Sequence, residues 1–233
     1  MTDRLPGKLY VISTPIGNLK DITYRAVEIL SHVSLVAVED TRRSRILFQE
    51  YGIKTPVISY YEHNRLTRIP AIIKTLNSGV DVGLITDAGT PGISDPAYKL
   101  IRAAIDEKVE IIPIPGPTAV TTALVASGLP TDRFLFEGFL PPRKGRQKRL
   151  RMLESETATI ILYESPHRLP RTLNDLLSFL GDRPAVVGRE LTKIHESIYR
   201  GTLSSLASYF NLHSIKGECV ILVGKNKENV FFN

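Results

Sequence analysis

Cysteine is nearly absent from this sequence of 233 residues, in which Cys219 stands alone. One thiol cannot form an intrachain disulfide or a cysteine metal cage, so both are excluded. Cys219 lies in the apolar segment ECVILVG. We therefore expect it to be a buried, reduced core residue.

Long uninterrupted apolar runs are also absent. The longest uncharged stretch, Ile111 to Thr131, is broken by four prolines and two glycines, so we predict no transmembrane helix. The first residues, MTDRLPGKLY, contain no apolar core followed by a small-residue cleavage site, so we expect no export signal. These absences predict a cytosolic protein.

Several common catalytic motifs are missing. There is no GxxxxGK[ST] phosphate loop and no GxGxxG turn, which weakens hypotheses of nucleotide triphosphate or ordinary dinucleotide binding. Neither HExxH nor GxSxG occurs, and five dispersed histidines give no zinc spacing. We therefore predict no metal and no serine hydrolase of the usual type.

Positive charge is concentrated in one segment. The chain has a net charge of +6, and the segment from 143 to 151 has six basic residues and no acid: Arg143, Lys144, Arg146, Lys148, Arg149 and Arg151. Such a segment attracts polyanions with salt-dependent affinity, which makes nucleic acid a plausible partner. From charge alone, a solvated helix face is the simpler interpretation.

The hydrophobic periodicity predicts an α/β protein, because short β-branched runs alternate with longer amphipathic runs. In the first half, strands are expected at 8–14, 35–39, 57–61, 82–86 and 110–113. Helices are expected from about Ile22, with Asp21 as the N-terminal cap, and at 42–51, 65–77 and 96–107. This alternation is typical of a parallel sheet covered by helices.

The proline-rich passage PIPGPTA, at 113–119, predicts a boundary between domains 1–116 and 117–233. Beyond it we expect strands at 134–139, 159–164, 185–190, 196–201 and 219–224. Helices are expected at 120–127, 145–154, 169–180 and 203–210. About five residues separate two of these strands, too few for a helical crossover, so the second sheet is predicted to be mixed.

Candidate chemistry follows the predicted strand ends, where open α/β sheets bind ligands. The first segment is TPIGNLKDIT, in which Pro15 stiffens a turn and Gly17 permits close backbone approach. The second is VEDTRRS, with Glu39, Asp40 and Arg42 after a strand. A strand-to-helix turn explains the first equally well, and Asp40 could be only a helix cap.

Three further segments have the same character. TDAGTPGISDP, at 86–96, is rich in small residues and suits a ligand recognised by its polar edges. YESPHR, at 163–168, ends a strand of the second half, and GRELTKIHES, at 188–197, is dense in charge. We expect these segments to meet at one rim, although the residues alone do not identify a reaction.

Together with PIPGPTA, which lies between the third and fourth of them, these segments resemble the tetrapyrrole methylase superfamily by their motifs and their order. More narrowly, VEDTR, YESPHR and ELTK are similar to the ribosomal small-subunit RNA 2′-O-methyltransferase I family, which methylates a cytidine ribose in the decoding centre. The resemblance runs from Lys8 to about Gly224. It implies S-adenosylmethionine in a cleft between two domains, a homodimer, and 16S ribosomal RNA or the small subunit as substrate.

The resemblance also implies site residues. Cofactor contacts would come from Pro15, Gly17, Asp87, Gly89, Thr90, Ile93, Ser94, Thr118, Ala119, Tyr163 and Leu191. Larger members carry a C-terminal extension, whereas this chain ends at Asn233. RNA contact is therefore expected from the six basic residues of 143–151, the dimer or the assembled particle.

Methyl transfer to a ribose hydroxyl needs an in-line approach and gains from a base. The candidate bases are Asp40 and Glu39, followed by Glu164 and Glu190. Candidate phosphate clamps or hydroxyl-orienting cations are Arg42, Arg168 and Lys193. In the structural alternative, these charges only pair with one another.

Two other functions stay open. One is methylation of a small tetrapyrrole, which predicts that the basic segment can be neutralised without loss. The other is a non-catalytic RNA-binding assembly factor, which predicts that S-adenosylmethionine does not bind.

Overall fold

The protein is described here by a computed structural model, over residues 5–225. The chain divides into two units, with the boundary after Thr118. Among the residues described, no helix combines the length and the apolar character needed to cross a membrane.

The first unit is built on a five-stranded parallel sheet of order β3-β2-β4-β1-β5. Its strands are β1 (Leu9–Ile12), β2 (Leu35–Val38), β3 (Val57–Ser59), β4 (Val82–Leu84) and β5 (Ile111–Ile114). Its helices are α1 (Tyr24–His32), α2 (Thr41–Glu50), α3 (Arg65–Asn77) and α4 (Ala97–Asp106). The prediction of a parallel sheet is confirmed.

Helices cover both faces of this sheet, as parallel sheets require. On one face, Leu9 and Ala37 pack with Ile72 of α3 and Leu100 of α4. A second cluster joins strands β1 and β2 to helices α1 and α2 through Ile12, Val36, Leu30 and Phe48.

The predicted cap of α1 is wrong. Asp21 ends a short 3-10 turn, Leu19–Asp21, and α1 begins after Thr23. The Thr23 hydroxyl accepts a hydrogen bond from the amide of Ala26 at 3.1 Å. Threonine in an extended conformation satisfies that amide directly, so the helix starts two residues later than predicted.

The second unit is built on a mixed sheet of order β6-β7-β10-β8-β9. Its strands are β6 (Phe134–Phe139), β7 (Thr159–Glu164), β8 (Pro184–Arg189), β9 (Ser197–Thr202) and β10 (Cys219–Val223). Its helices are α5 (Ala119–Ser127), α6 (Arg146–Glu154), α7 (Leu169–Leu180) and α8 (Leu203–Leu212). Only β6 and β7 pair in parallel, so the prediction of a mixed sheet is confirmed.

One face of this second sheet carries the larger core. Ile160, Leu162 and Ile221 pack there with Leu173 of α7 and Leu206 of α8. Helix α5 packs on the opposite face, against β8 and β10.

Cys219 is 3% exposed within this core, as predicted. Burial raises the pKa of its thiol to about 12. The thiol is therefore protonated and inert in the folded protein.

Candidate active site

The carboxyl ends of β1 and β4 are joined by hydrogen bonds in the first unit. The amide of Thr14 donates to the Gly89 carbonyl at 2.9 Å, and the amide of Gly89 donates back at 3.0 Å. The hydroxyls of Ser13 and Thr90 lie 2.9 Å apart. Gly89 has a φ of +83°, which favours glycine at this point of close pairing. The first and third predicted segments therefore meet.

The segment after β2 joins the same rim through two carboxylates. Glu39 Oε2 accepts hydrogen bonds from the Thr86 hydroxyl at 2.6 Å and the Asp87 amide at 3.3 Å. Asp87 Oδ1 accepts from the amide of Asp40 at 2.9 Å. Burial, and then the negative charge of Glu39, raise the pKa of Asp87. Three of the predicted segments are thus tied together at one edge.

Strand β5 closes the rim. A Cβ at Gly116 would lie 2.8 Å from the Cβ of Ser13, so only glycine permits this approach. The next carbonyl, of Pro117, accepts a hydrogen bond from the Thr90 hydroxyl at 3.3 Å. The ends of β1, β4 and β5 are thereby held as one rigid group.

Asp40 is the N-terminal cap of α2 and is bound by Arg42. Its carboxylate accepts from the Arg42 amide at 2.8 Å and from the Arg42 guanidinium at 2.6 Å. These hydrogen bonds lower the pKa of Asp40 to about 2. A base of that pKa takes up a proton poorly near neutral pH. The helix-cap interpretation therefore explains Asp40, and the expectation that it is the leading base needs correction.

Arg42 itself stays on the surface, with a side chain that is 89% exposed. Surface ion pairs of this kind contribute little stability. The exposed face of the Arg42 side chain stays open to solvent, and a role for Arg42 in orienting a substrate stays a prediction.

The loop after β4, at 86–96, is the candidate ligand-binding loop of the first unit. Gly89, Gly92 and Ser94 all have positive φ values, so the backbone turns sharply between Asp87 and Asp95. The Asp95 carboxylate holds the loop by accepting from the amides of Gly92 and Ala97, each at 2.8 Å. Ala88, Gly92 and Ser94 of this loop are exposed. A loop of small residues suits a ligand that is recognised by its polar edges, and the binding of S-adenosylmethionine here stays a prediction.

The predicted cofactor residues of the first unit lie on or beside this rim. Half-buried or buried members are Pro15, Asp87, Gly89, Thr90 and Thr118, and exposed members are Gly17, Ile93 and Ser94. Ala119 opens α5 of the second unit. The structure brings the first-unit group together, and their contact with a cofactor stays a prediction.

The two charged segments of the second unit, YESPHR and GRELTKIHES, follow strands that end on the same side of the second sheet. Strands β7 and β8 both run antiparallel to β10, and Cys219 pairs with Glu164 on one side and Arg189 on the other. The carboxyl ends of β7 and β8 therefore lie beside the start of β10. Tyr163 is half-buried and Leu191 is buried near this edge.

Glu164 belongs to an internal network. It is 2% exposed and accepts from the Thr172 hydroxyl at 2.7 Å, while Arg168 Nε lies 3.2 Å away. Arg168 also donates to the Leu140 carbonyl at 2.6 Å. The structural alternative thus explains both residues, because Glu164 has no open side toward a substrate. The expectation of Glu164 as a base is corrected accordingly.

Arg146 extends the same network and is not an RNA-facing residue. It is 3% exposed and donates to Asp175 at 2.7 Å, to Thr172 at 2.8 Å and to the Pro141 carbonyl at 3.3 Å. A guanidinium that is buried and bonded in this way cannot reach a phosphate. This corrects its inclusion among the six RNA contacts.

The other five cations of the basic segment are exposed: Arg143, Lys144, Lys148, Arg149 and Arg151. Arg149 pairs with Glu137, whose side chain is 3% exposed. Over residues 5–225, the remaining four have no acidic partner. The uncompensated charge of this segment is therefore four, not six.

Glu190 and Lys193 form a second ionic cluster. Lys193 Nζ lies 2.9 Å from Glu190 Oε1 and 3.0 Å from Glu218 Oε2, and the Glu218 amide donates to the same Glu190 oxygen at 2.9 Å. Burial acts to raise the pKa of Glu190, but the hydrogen bonds from Lys193 and the Glu218 amide, together with the positive charges of Lys193 and Arg189, outweigh it, so the pKa is lowered. Oε1 of Glu190 is thus already occupied by two donors inside the cluster.

The backbone of this turn is strained. Glu190 and Thr192 have φ values of +49° and +68°, and the left-handed region is costly for a β-branched residue such as threonine. The ionic cluster holds the strained turn in place, with Leu191 buried between the two residues.

Some residues that organise these strand ends are not marked by any sequence motif. Thr172 and Asp175 lie on α7 and bind side chains from other elements, and no local pattern marks them. Asp95 offered a signal, because an Asp-Pro pair after a glycine-rich loop is typical of a turn that is held by the carboxylate. Among the described residues, no group of three His, Cys, Asp or Glu side chains is placed to hold a metal ion.

Comparisons with known proteins agree on one family. Residues 8–207 match the profile described as Tetrapyrrole (Corrin/Porphyrin) Methylases. The chain is 51% identical to a Synechocystis protein named "Ribosomal RNA small subunit methyltransferase I", over 96% of this chain and 81% of that protein. A Thermotoga maritima protein of the same name is 44% identical, over 94% of this chain and 99% of that protein.

Solved structures show the same fold. A uroporphyrin-III C-methyltransferase from Thermus thermophilus aligns with a TM-score of 0.68 and 18% identity, over 94% of both chains. A diphthine synthase aligns with a TM-score of 0.73 and 16% identity, over 94% of this chain and 90% of the other.

Proposed function

Because this chain belongs to the tetrapyrrole methylase family, we propose that it is an S-adenosylmethionine-dependent methyltransferase of small-subunit ribosomal RNA. We propose further that the acceptor is the 2′-oxygen of a cytidine ribose in the decoding centre of 16S RNA. The relatives named for this RNA are 43–51% identical over most of the chain, which supports the substrate class. The VEDTR, YESPHR and ELTK motifs support the finer assignment.

The observation that carries the proposal is the rim of the first unit. Its loop from Asp87 to Asp95 is held rigid by the Asp95 carboxylate and by pairing of Gly89 with Thr14. A fixed, small-residue backbone binds a ligand without a large ordering cost. When bound there, S-adenosylmethionine supplies a methyl group made electrophilic by its sulfonium.

The main task of the chain is to position the acceptor. A ribose hydroxyl is a weak nucleophile. Holding its oxygen about 3 to 3.5 Å from the methyl carbon lowers the activation barrier through proximity and orientation alone, without a catalytic acid or base. A base that takes the hydroxyl proton adds roughly a hundredfold or more.

Glu39 is the candidate base that the geometry leaves open. Asp40 is paired with Arg42, Glu164 is buried, and Glu190 is paired with Lys193. Glu39 is half-buried at the rim, and both of its hydrogen bonds to Thr86 and Asp87 use Oε2. We assign Oε1 of Glu39 the task of accepting the ribose proton.

Methyl transfer from labelled S-adenosylmethionine to small subunits that lack the modification tests the function. Incorporation into RNA is expected, and a folded protein that labels only a tetrapyrrole would favour the small-molecule function. Absence of cofactor binding in calorimetry would favour the non-catalytic assembly factor. Glu39→Gln should lower kcat about a hundredfold, while Glu50→Gln, an exposed residue at the end of α2, should not.

The exposed cations supply the polyanion affinity. We propose that Arg143, Lys144, Lys148 and Arg151 contact RNA phosphates in the cytoplasm, with the protein acting as a homodimer. The double variant Lys148→Gln with Arg151→Gln should reduce the slope of log affinity against log salt concentration by the equivalent of about two phosphate contacts. The matched pair Lys54→Gln with Lys74→Gln, also exposed, should leave that dependence unchanged.

A further inference from the structure

An aromatic platform lies toward the carboxyl end of the edge strand β6. It consists of Phe136, Phe139 and Tyr163. The Tyr163 ring centroid lies 5.0 Å from that of Phe136 and 5.6 Å from that of Phe139, at interplanar angles of 67° and 64°. Such edge-to-face contacts fix the rings in place. Phe139 is nevertheless 53% exposed, so one large rigid ring faces outward.

A β-bulge creates this exposure. Pairing between β6 and β7 shifts between Phe136 and Gly138, so that Gly138 pairs with Leu162 and Phe139 pairs with Tyr163. Without the extra residue, alternation would turn Phe139 toward the opposite face from Phe136. Gly138 has a φ of +72°, which suits glycine at a bulge. The bulge therefore re-aims Phe139 onto the face of Phe136 and Tyr163.

The chain after Phe139 is anchored and basic. Carbonyls of Leu140, Pro141 and Pro142 each accept a hydrogen bond from an arginine of α6, α7 or the turn before α7. Arg143 follows Phe139 by four residues, which limits their separation to roughly 14 Å. The platform therefore lies within reach of unpaired positive charge.

We propose that an unpaired base of the substrate RNA stacks on Phe139, with the phosphates of the same strand on Arg143 and Lys144. The inference rests on the proposed function, since it takes RNA as the substrate. Aromatic rings beside a cationic track are the usual means of binding single-stranded nucleic acid. A second copy of this chain fits the platform less well, because a two-fold contact there brings two basic segments together.

Two substitutions and a matched control test the platform. Phe139→Ala removes the exposed ring, and Phe139→Trp keeps an aromatic face. Phe134→Ala removes a phenylalanine that is 46% exposed, five residues earlier in the same strand and outside the platform. Filter binding measures the affinity for unmodified small subunits, and a methyl-transfer assay gives kcat and KM. Calorimetry measures the affinity for S-adenosylmethionine, and light scattering measures the mass of the protein in solution.

Stacking predicts that Phe139→Ala weakens subunit binding about 5- to 150-fold and raises KM similarly, with cofactor affinity, kcat and mass unchanged. Phe139→Trp should restore binding to within about threefold of the wild type, and Phe134→Ala should stay at the wild-type level. Unchanged binding by Phe139→Ala overturns the proposal, as does a halved mass, which would assign the platform to a second copy. If the wild type binds subunits without methylating them, the proposed reaction fails while the binding comparison still decides the stacking.

Discussion

Replacing Arg146 by glutamine separates a structural arginine from an RNA-binding one. The Arg146 side chain is 4% exposed and loses its bonds to Asp175, Thr172 and the Pro141 carbonyl on substitution. Breaking a buried ion pair costs about 3 to 5 kcal/mol. Because Asp175 is 31% exposed, water replaces part of the lost interaction, and we expect about 3 kcal/mol.

A loss of that size lowers the melting temperature of a chain this long by about 6 to 12 °C. Lys148→Gln on the exposed side of the same helix is the control and should melt within about 1 °C of the wild type, since surface substitutions cost little. Differential scanning calorimetry measures both. An Arg146→Gln protein that melts like the wild type but loses RNA affinity would refute the structural role.

Three further predictions concern single groups. The hydrogen bond from Arg42 lowers the pKa of Asp40 from 3.8 to about 2, so the contribution of Asp40 to stability is present above about pH 4 and is lost as the pH falls toward 2. The difference in urea midpoint between the wild type and Asp40→Asn should therefore shrink over that range. A difference that stays constant would contradict the pairing. Burial raises the pKa of Cys219 to about 12, so Ellman's reagent should react only after unfolding in guanidinium chloride, and rapid reaction of the native protein would show an accessible thiol. Gly116→Ala places a Cβ 2.8 Å from that of Ser13 and should cost about 1 to 3 kcal/mol in urea unfolding, whereas an unchanged midpoint would mean that the two strand ends are not held together.

Sequence periodicity predicted the fold well because strands and helices are defined by local patterns. The helices at 65–77 and 169–180 and the strands at 134–139 and 159–164 have the predicted bounds. Elsewhere the bounds differ by one or two residues, mainly where a strand end turns into the rim, as after Ile12 and Leu84. At these positions the sequence favours a strand, but the backbone bonds to a neighbouring loop instead of to the next strand, as Thr14 does with Gly89.

Side-chain pairing was predictable only in part. The capping of α2 by Asp40 could be predicted, because a carboxylate at a helix start binds the nearby amides. The burial of Arg146 depended on Thr172 and Asp175, which lie 26 and 29 residues away. Basic composition describes a segment as a whole, whereas the fold decides which of its cations face inward.

The position of the transferred methyl group decides whether this protein methylates the ribose of a cytidine in ribosomal RNA. Small subunits that lack the modification are incubated with the protein and isotopically labelled S-adenosylmethionine, and their RNA is digested to nucleosides for mass spectrometry and mapped by fragment. We predict label in 2′-O-methylcytidine from the decoding centre. Label on a base, or on no nucleotide while the folded protein binds the cofactor, would contradict the account.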